Sequence, residues 1–339
     1  MHKRSILWRL GWLYVVLIAL WLMLRAIFFD QLWWLALLNT FAIYLFVPLP
    51  LLFLAGLWHR NWALVFGLAI PTTAFVALFG TLLLPKPTSL PTGDVIITVM
   101  TFNVLTSNKD IDALVNAIRG GQPDILGMQE LTSGKRAALA AAFDNQLAYN
   151  TFDSPTSFGN VGLMSRFPIE TARPITLPSG QPALYARLRV NDQRLPVVVA
   201  HLTPNHLFKN PAISLGTAAS NAFARRATEI AFLRDELHSL SEPALLLCDC
   251  NLTDTSQAHA ELGGFLYDSF REVGWGLGNT NDASNAAVPM QRIDYVWHSA
   301  GLIAIAAEVG QAGGSDHLPV VVRLRFSVGS RQLCRRLLC

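Results

Sequence analysis

Charged side chains are scarce in this chain. Only 14% of its 339 residues are Asp, Glu, Lys or Arg, while 52% are apolar. An ordinary soluble domain carries roughly 25% charge, so part of the chain is expected to avoid water. The net charge is small, +3, which argues against a strongly basic nucleic-acid footprint. The four cysteines are too few for a disulfide scaffold. Cys248 and Cys250 lie two apart in an expected strand, sharing a face but too far apart for easy bridging. Cys334 and Cys339 fall in a basic tail, so cysteine usage leaves the compartment open. No Cys/His pairs have the spacing of a closed structural zinc site. Internal repeats and long low-complexity runs are also lacking.

The apolar residues are concentrated. Residues 10–24, 32–58 and 61–84 carry no charge, and the first run continues past Arg25 to Phe29. Each is long enough, at about 20 residues, to cross a bilayer as a helix. Trp33, Trp34, Trp58 and Trp62 stand at run ends, where indoles favour the membrane interface. Pro48, Pro50 and Pro71 are expected to kink these helices. Lys3, Arg4 and Arg9 precede the first run and Arg60 separates the later two. That bias predicts a cytoplasmic N-terminus, three crossings, and a non-cytoplasmic location for everything beyond Leu84. A cleaved signal peptide fits poorly, because two further runs follow and no small-x-small site does.

The expected organisation is a membrane region over 1–84, a Pro-rich linker over 85–94, a mixed α/β domain over 95–326 and a basic tail over 327–339. The linker holds Pro85, Pro87 and Pro91 with Thr88, Ser89, Thr92 and Gly93. Strands are expected at 95–102, 125–128, 161–164, 184–190, 196–200, 244–247, 293–297 and 320–324. Helices are expected at 111–118, 137–143 and 222–240.

Polar residues of catalytic type recur where apolar strands end. Asn103 follows Val-Met-Thr-Phe, Gln129 and Glu130 follow Ile-Leu-Gly-Met, and His201 follows Val-Val-Val-Ala. Asp249 and Asn251 follow Leu-Leu-Leu-Cys, Asp294 opens Tyr-Val-Trp, and Asp316-His317 precede Leu-Pro-Val-Val-Val. Singly, each has an ordinary reading: a turn Asn, a helix-capping Glu, a core His, an Asp294 paired with Arg292. Together they form a set of carboxylates, amides and imidazoles suited to a hard divalent cation such as Mg²⁺. Cysteine catalysis is the weaker rival, because Cys250 alternates with Asp249 and Asn251 and so points away from them.

The ordered series Thr-Phe-Asn103, Gln129-Glu130, Gly162-Leu-Met-Ser-Arg166-Phe-Pro-Ile, His201-Leu, Cys-Asp249-Cys-Asn251, Arg292-Ile-Asp294-Tyr and Ser315-Asp316-His317-Leu-Pro resembles the endonuclease/exonuclease/phosphatase superfamily, the deoxyribonuclease I-like enzymes. The resemblance implies a four-layer α/β sandwich of two packed mixed sheets flanked by helices. It implies a metal-dependent phosphoric ester hydrolase using Mg²⁺, with Mn²⁺ as the alternative. By this resemblance Asn103, Glu130 and Asp316 hold the metal. Asp249 activates water, Asn251 fixes the phosphate, and His317, oriented by Asp294, contacts the phosphate or moves a proton. His201 protonates the leaving oxygen, a histidine shared with the deoxyribonuclease and sphingomyelinase branches. The family's usual Gly-Asp-Phe-Asn is here Cys-Asp-Cys-Asn, which alters packing beside the site. Membrane tethering favours a phospholipid or sphingolipid diester. The alternatives are a cell-surface endonuclease acting on nucleic acid and a non-catalytic membrane protein that kept the fold. The loop 203–217, with His206, Phe208, Lys209 and Asn210, is expected near the mouth, and no protein partner is evident.

Overall fold

The computed structural model describes residues 2–86, 95–152, 160–205, 212–281 and 291–327, with side chains from residue 8 onward. Five apolar helices come first: α1 (His2–Phe28), α2 (Trp33–Thr40), α3 (Pro48–Trp58), α4 (Trp62–Gly67) and α5 (Ala69–Leu83). Two helices, Trp8–Phe28 and Trp62–Leu83, are long and apolar enough to span a membrane. Their outward side chains are what a lipid solvent would cover: Ile27 is 61% and Phe66 75% exposed. The middle run departs from expectation. It is bent by 70° between Trp33–Thr40 and Ala42–Trp58. The sharp bend sits at Phe41, not at a proline; Pro48 and Pro50 occupy the first turn of α3, where a missing N–H costs nothing.

The second part of the chain alternates strands and helices. It contains β1 (Ile96–Asn103), α6 (Ile111–Gly121), β2 (Ile125–Leu131), α7 (Ser133–Ala142), β3 (Tyr149–Phe152), β4 (Asn160–Ser165), β5 (Ile169–Thr176), β6 (Pro182–Val190), β7 (Gln193–His201) and α8 (Leu215–His238). There follow β8 (Leu245–Asp249), α9 (Gln257–Leu262), β9 (Tyr267–Asp268), α10 (Ser269–Val273), β10 (Asp294–His298), β11 (Leu302–Val309) and β12 (Val320–Phe326). Side-chain caps set the helix starts: Asp110 accepts from the Ala113 N–H at 2.9 Å, Thr132 from Lys135 at 3.3 Å and Ser214 from Thr217 at 3.2 Å.

Two six-stranded sheets result, ordered β11-β12-β1-β2-β4-β3 and β5-β6-β7-β8-β10-β9. Alternate residues of both sheets meet in a shared core: Ile97, Val99, Ile125 and Leu163 against Leu184, Val197, Val199 and Leu247. The outer face of the first sheet packs on α6 and α7 through Met100, Phe102, Leu114, Ile118 and Leu139. The outer face of the second packs on α8 and α9 through Val198, Leu246, Ile230, Leu233 and Leu262. The architecture is therefore the four-layer α/β sandwich. At Gly127 an added Cβ would lie 2.8 Å from Leu247 Cδ1 on the opposite sheet, so the sheets approach there by omitting a side chain.

Each sheet has a parallel pair at its centre flanked by an antiparallel neighbour. β1 runs parallel to β2 and antiparallel to β12. β8 runs parallel to β7 and antiparallel to β10. The C-terminal ends of β1, β2, β7 and β8 and the N-terminal ends of β10 and β12 thus converge on one edge.

The apolar helix ends meet that same edge. Arg25 donates to the Thr255 carbonyl, Thr255 Oγ1 donates to the Asn39 carbonyl, and the Gln257 N–H donates to Asp30. Gln291 Nε2 donates to the Thr40 carbonyl at 3.2 Å. The carbonyls beside the bend are thus satisfied by the α/β domain. Arg271 reaches the Leu78 carbonyl at 2.9 Å and Thr81 Oγ1 at 3.0 Å, and the Gly276 N–H donates to the Leu82 carbonyl at 2.7 Å.

One expectation about cysteine is overturned: Cys248 and Cys250 form a disulfide, their Cα atoms 5.0 Å apart. The strand spacing assumed for them does not hold, because β8 ends at Asp249 and Asn251 already has φ 51°. The turn shortens the Cα separation into the bridgeable range. Cys334, Cys339 and most of the Pro-rich linker, including Pro87 and Pro91, lie outside the described residues.

Candidate active site

Three strands of the second sheet lay His201, Asp249 and Asp294 side by side, with Asp249 in register with both neighbours. Facing them from the first sheet is Asn103, the last residue of β1 and fully buried. Its Nδ2 donates to Asp249 Oδ2 at 2.9 Å and to Glu130 Oε1 at 3.2 Å, joining the two sheets. The same Asp249 oxygen lies 3.4 Å from His201 Nε2 and 3.8 Å from His317 Nε2. A single carboxylate therefore faces two imidazoles and an amide.

Glu130 reaches this group by a backbone irregularity. Strict alternation would send it to the outer face with Met128. Instead the β2–β4 register shifts between Met128 and Leu131, and Glu130 has φ 55°. A bulge of this kind re-aims a side chain, and a non-glycine residue at positive φ stores strain where function over-determines it. The carboxylate accepts from the Thr106 N–H at 2.9 Å. Burial pushes the Glu130 pKa up, but the Thr106 N–H, His201 and the Asn103 amide outweigh it and hold the group below the usual carboxylate range.

The segment before β12 supplies the rest. Gly313 and Gly314 take φ 57° and 80°, a turn that favours glycine. Ser315 Oγ then donates to the Asn103 carbonyl at 2.7 Å and accepts from the His317 N–H at 3.1 Å. His317 Nδ1 lies 2.8 Å from Asp294 Oδ2. Burial works against a charged imidazole, but Asp294 and then Asp249 raise the His317 pKa to about 10. Burial, followed by repulsion from Asp249, raises Asp294 despite the attraction of His317. Asp294 thus favours the charged form of the imidazole. Asn251 donates through Nδ2 to the Leu202 carbonyl at 2.9 Å, and its N–H reaches Asp249 Oδ1 at 3.2 Å.

Asn103, Glu130, His201, Asp249, Asn251, Asp294 and His317 are thus linked directly or through one neighbour. Asp316 makes no hydrogen bond to them; its Oδ1 is buried without a partner. A buried carboxylate oxygen without a donor, next in the chain to His317, fits a cation ligand. Gln129 turns between the sheets to Thr101 Oγ1 at 3.0 Å and takes no part. The Arg292–Asp294 ion pair does not form; Arg292 pairs with Asp254 and Asp268. His206, Phe208, Lys209 and Asn210 lie outside the described residues.

Several supporting residues carried no readable signal. Lys135, 3% exposed, donates to the Leu105 and Thr106 carbonyls at 2.6 and 2.8 Å, and so holds the loop whose N–H caps Glu130. In sequence it is an ordinary helix lysine. Thr280 Oγ1 accepts from the Ile293 and Asp294 N–H groups at 3.0 and 3.1 Å.

The family model described as Endonuclease/Exonuclease/phosphatase family matches residues 100–317. The chain belongs to that family. Membership makes it a hydrolase acting on ester bonds, of a family whose enzymes depend on divalent metals. The fold agrees with solved structures. An endonuclease/exonuclease/phosphatase from Bacteroides vulgatus superposes with a TM-score of 0.57 at 16% identity, covering 69% of this chain and 100% of that one. A truncated TDP2 from Caenorhabditis elegans gives 0.54 at 14% identity, covering 68% and 98%. The human Nocturnin catalytic domain gives 0.52 at 18% identity, covering 69% and 96%. No curated protein matches the chain in sequence.

Proposed function

We propose that this family member is a membrane-anchored, Mg²⁺-dependent phosphodiesterase acting on a phospholipid or sphingolipid diester, with its catalytic domain on the non-cytoplasmic side. The observation that carries the lipid reading is the shared edge: segments adjoining Asn251 and Asp294 also touch the apolar helix ends. A headgroup at the bilayer surface would be near such a site. The Cys248–Cys250 bridge favours an oxidising compartment, in agreement with the Lys and Arg bias. The arginines of the domain do not favour a nucleic-acid groove. Arg166 pairs with Asp124 at 3.0 Å, Arg187 with Glu242 at 3.8 Å, and Arg173 and Arg189 with Glu236 and Glu170.

In this reading Asn103, Glu130 and Asp316 hold the cation, for which Mn²⁺ could substitute. When bound, the cation polarises a phosphoryl oxygen and offsets charge developing there. Asp249 Oδ2, between the two imidazoles, accepts the proton of the attacking water. His317, kept cationic by Asp294, donates from Nε2 to a phosphoryl oxygen. Asn251 offers its remaining amide hydrogen to the phosphate. His201 protonates the leaving oxygen.

The test uses the full chain in nanodiscs, with bis(4-nitrophenyl) phosphate, labelled sphingomyelin or phosphatidylcholine, and plasmid DNA supplied in parallel. Mg²⁺-dependent, EDTA-sensitive lipid cleavage is expected. Cleavage of DNA alone would replace the lipid reading with a nuclease. No hydrolysis of any substrate would point to a non-catalytic role. A reporter fused after residue 90 and active only in the cytosol would reverse the topology.

A further inference from the structure

Some polar contacts between the membrane region and the α/β domain fall on α10 and the residues after it, from Arg271, Trp275 and Gly276. The others fall on two loops, and both loops lead to the active site. The first loop runs from Asn251 to Gln257. Its far end is held by Asp30, by Arg25 on the Thr255 carbonyl, and by Thr255 Oγ1 on the Asn39 carbonyl. Asp30 is itself fixed by Asn39 Nδ2 at 2.7 Å, and Asn39 Oδ1 accepts from Trp21 Nε1 at 3.0 Å. The second loop runs from Gln291 to Asp294. Gln291 is bonded to Thr40. Arg292 is paired with Asp254, and Asp254 lies 3.3 Å from Arg271 Nη2, the atom that also reaches the Leu78 carbonyl of α5. The loops are tied to each other by the Cys250 N–H on the Ile293 carbonyl at 2.9 Å. Tyr295 Oη adds bonds to the Leu252 carbonyl at 3.2 Å and the Arg292 carbonyl at 2.9 Å. Polar contacts therefore run from α1, α2 and α5 onto both loops, and the loop backbones continue to Asn251 and Asp294.

We propose that Asp30, Asn39 and Arg271 are positioning residues for the catalytic centre: the helix ends of the membrane region set the geometry of the loops that deliver Asn251 and Asp294. This rests on the phosphodiesterase reading above. The proposed cation ligands Asn103 and Glu130 sit on the other sheet, beyond this chain of contacts. The membrane region is then part of the active-site scaffold as well as an anchor.

The test compares the full chain in nanodiscs with an Asp30→Ala/Thr255→Val double variant and with Thr255→Ser, which keeps the hydroxyl. On bis(4-nitrophenyl) phosphate with Mg²⁺, the double variant should lose kcat by on the order of 10- to 100-fold, the scale of a small misplacement of reacting groups. Its KM should stay within about twofold of wild type, and Thr255→Ser should keep wild-type kcat. Hydrogen–deuterium exchange should accelerate over residues 250–257 and 291–296 and stay unchanged over 97–103. Unchanged exchange in both loops overturns the proposal whatever the turnover. Equal acceleration in β1 also overturns it, because the loss would then be general destabilisation. Absence of hydrolysis by the wild-type chain would sink the phosphodiesterase reading, while the exchange measurement would still decide this one.

Discussion

Asp249, Asp294 and His317 form one buried group whose ligand-type atoms lie within 4.8 Å of one another, and Asp254, His259 and Asp268 form a second of the same composition. They differ in countercharge. In the second group the Arg292 guanidinium, 2% exposed, lies between Asp254 and Asp268. Burial alone would raise both carboxyls, but Arg292 holds them below the usual range, and they in turn raise Arg292 well above its own. Every charge there has a partner, and the cluster braces α10 and the loop before β10. In the first group no described arginine forms an ion pair, although the buried Arg226 senses Asp249 at longer range. Asp249 is met by two imidazoles and an amide, and Asp294 Oδ1, His201 Nδ1 and Asp316 Oδ1 are buried without partners. Two carboxylates and an imidazole make a brace where a fixed cation completes them, and a candidate site where the balance is left open.

The comparison breaks most sharply at Asp249. Asp249→Ala should lower phosphodiester turnover by about 10³-fold or more while the melting temperature holds or rises. Turnover close to wild type would remove Asp249 from the reaction. The opposite outcome is expected at the brace: Arg292→Leu strands two carboxylates and should cost about 3–5 kcal/mol of stability in denaturant unfolding.

That variant also sharpens the contrast through pH. Asp254 and Asp268 have depressed pKa values in the folded chain, so their stabilisation is present above the unfolded value of about 3.9 and lost as pH falls through the folded ones. In wild type this cluster should therefore lose its stabilisation only in acid. Arg292→Leu should instead gain stability from pH 7 to about 5, as its stranded carboxyls take up protons. Parallel stability curves would show that Arg292 does not govern these acids.

Asp294→Asn is expected to be milder, lowering turnover by about a hundredfold. Without the carboxylate the His317 pKa falls, so the basic limb of the pH–rate profile should move to lower pH. The smallest effect is expected at Lys135→Met, which loosens the loop capping Glu130. It should weaken Mg²⁺ by about tenfold in a titration, with kcat at saturating metal little changed.

The legible parts of this molecule were those written in local pattern. Strands β1, β2, β4, β6, β7, β8, β10 and β12 are apolar runs that mark a mixed α/β domain, while the sandwich was implied by the resemblance carried by the motifs at their ends. β5 escaped notice because most of its side chains, including Arg173, are exposed and it contains Pro174, tolerable on a sheet edge. β11, rich in alanine, has little alternation to read. At the site, residue types at strand ends were visible, whereas the backbone turn that delivers Glu130 was not, since nothing in Gln-Glu-Leu demands positive φ. The partners of Arg292 were hidden for a different reason. Asp254 and Asp268 are distant in the chain, and the ordinary alternative offered only Asp294, two residues away, which instead meets His317. The Cys248–Cys250 bridge was obscured by the assumption that the strand continued past Asp249.

The pairing of β1 with β12 bears on how the protein is made. Ile96 lies opposite Arg325, so the first strand of the domain gains one of its two neighbours only when the last strand arrives. Asn103 leaves the ribosome early, whereas Ser315, which binds its carbonyl, and His317 leave late. A nascent chain thus carries an unfinished sheet and an incomplete constellation until nearly the whole domain has been synthesised. Hydrolytic competence is a property of the finished chain, and a product truncated before β12 would lack both the strand and the activity.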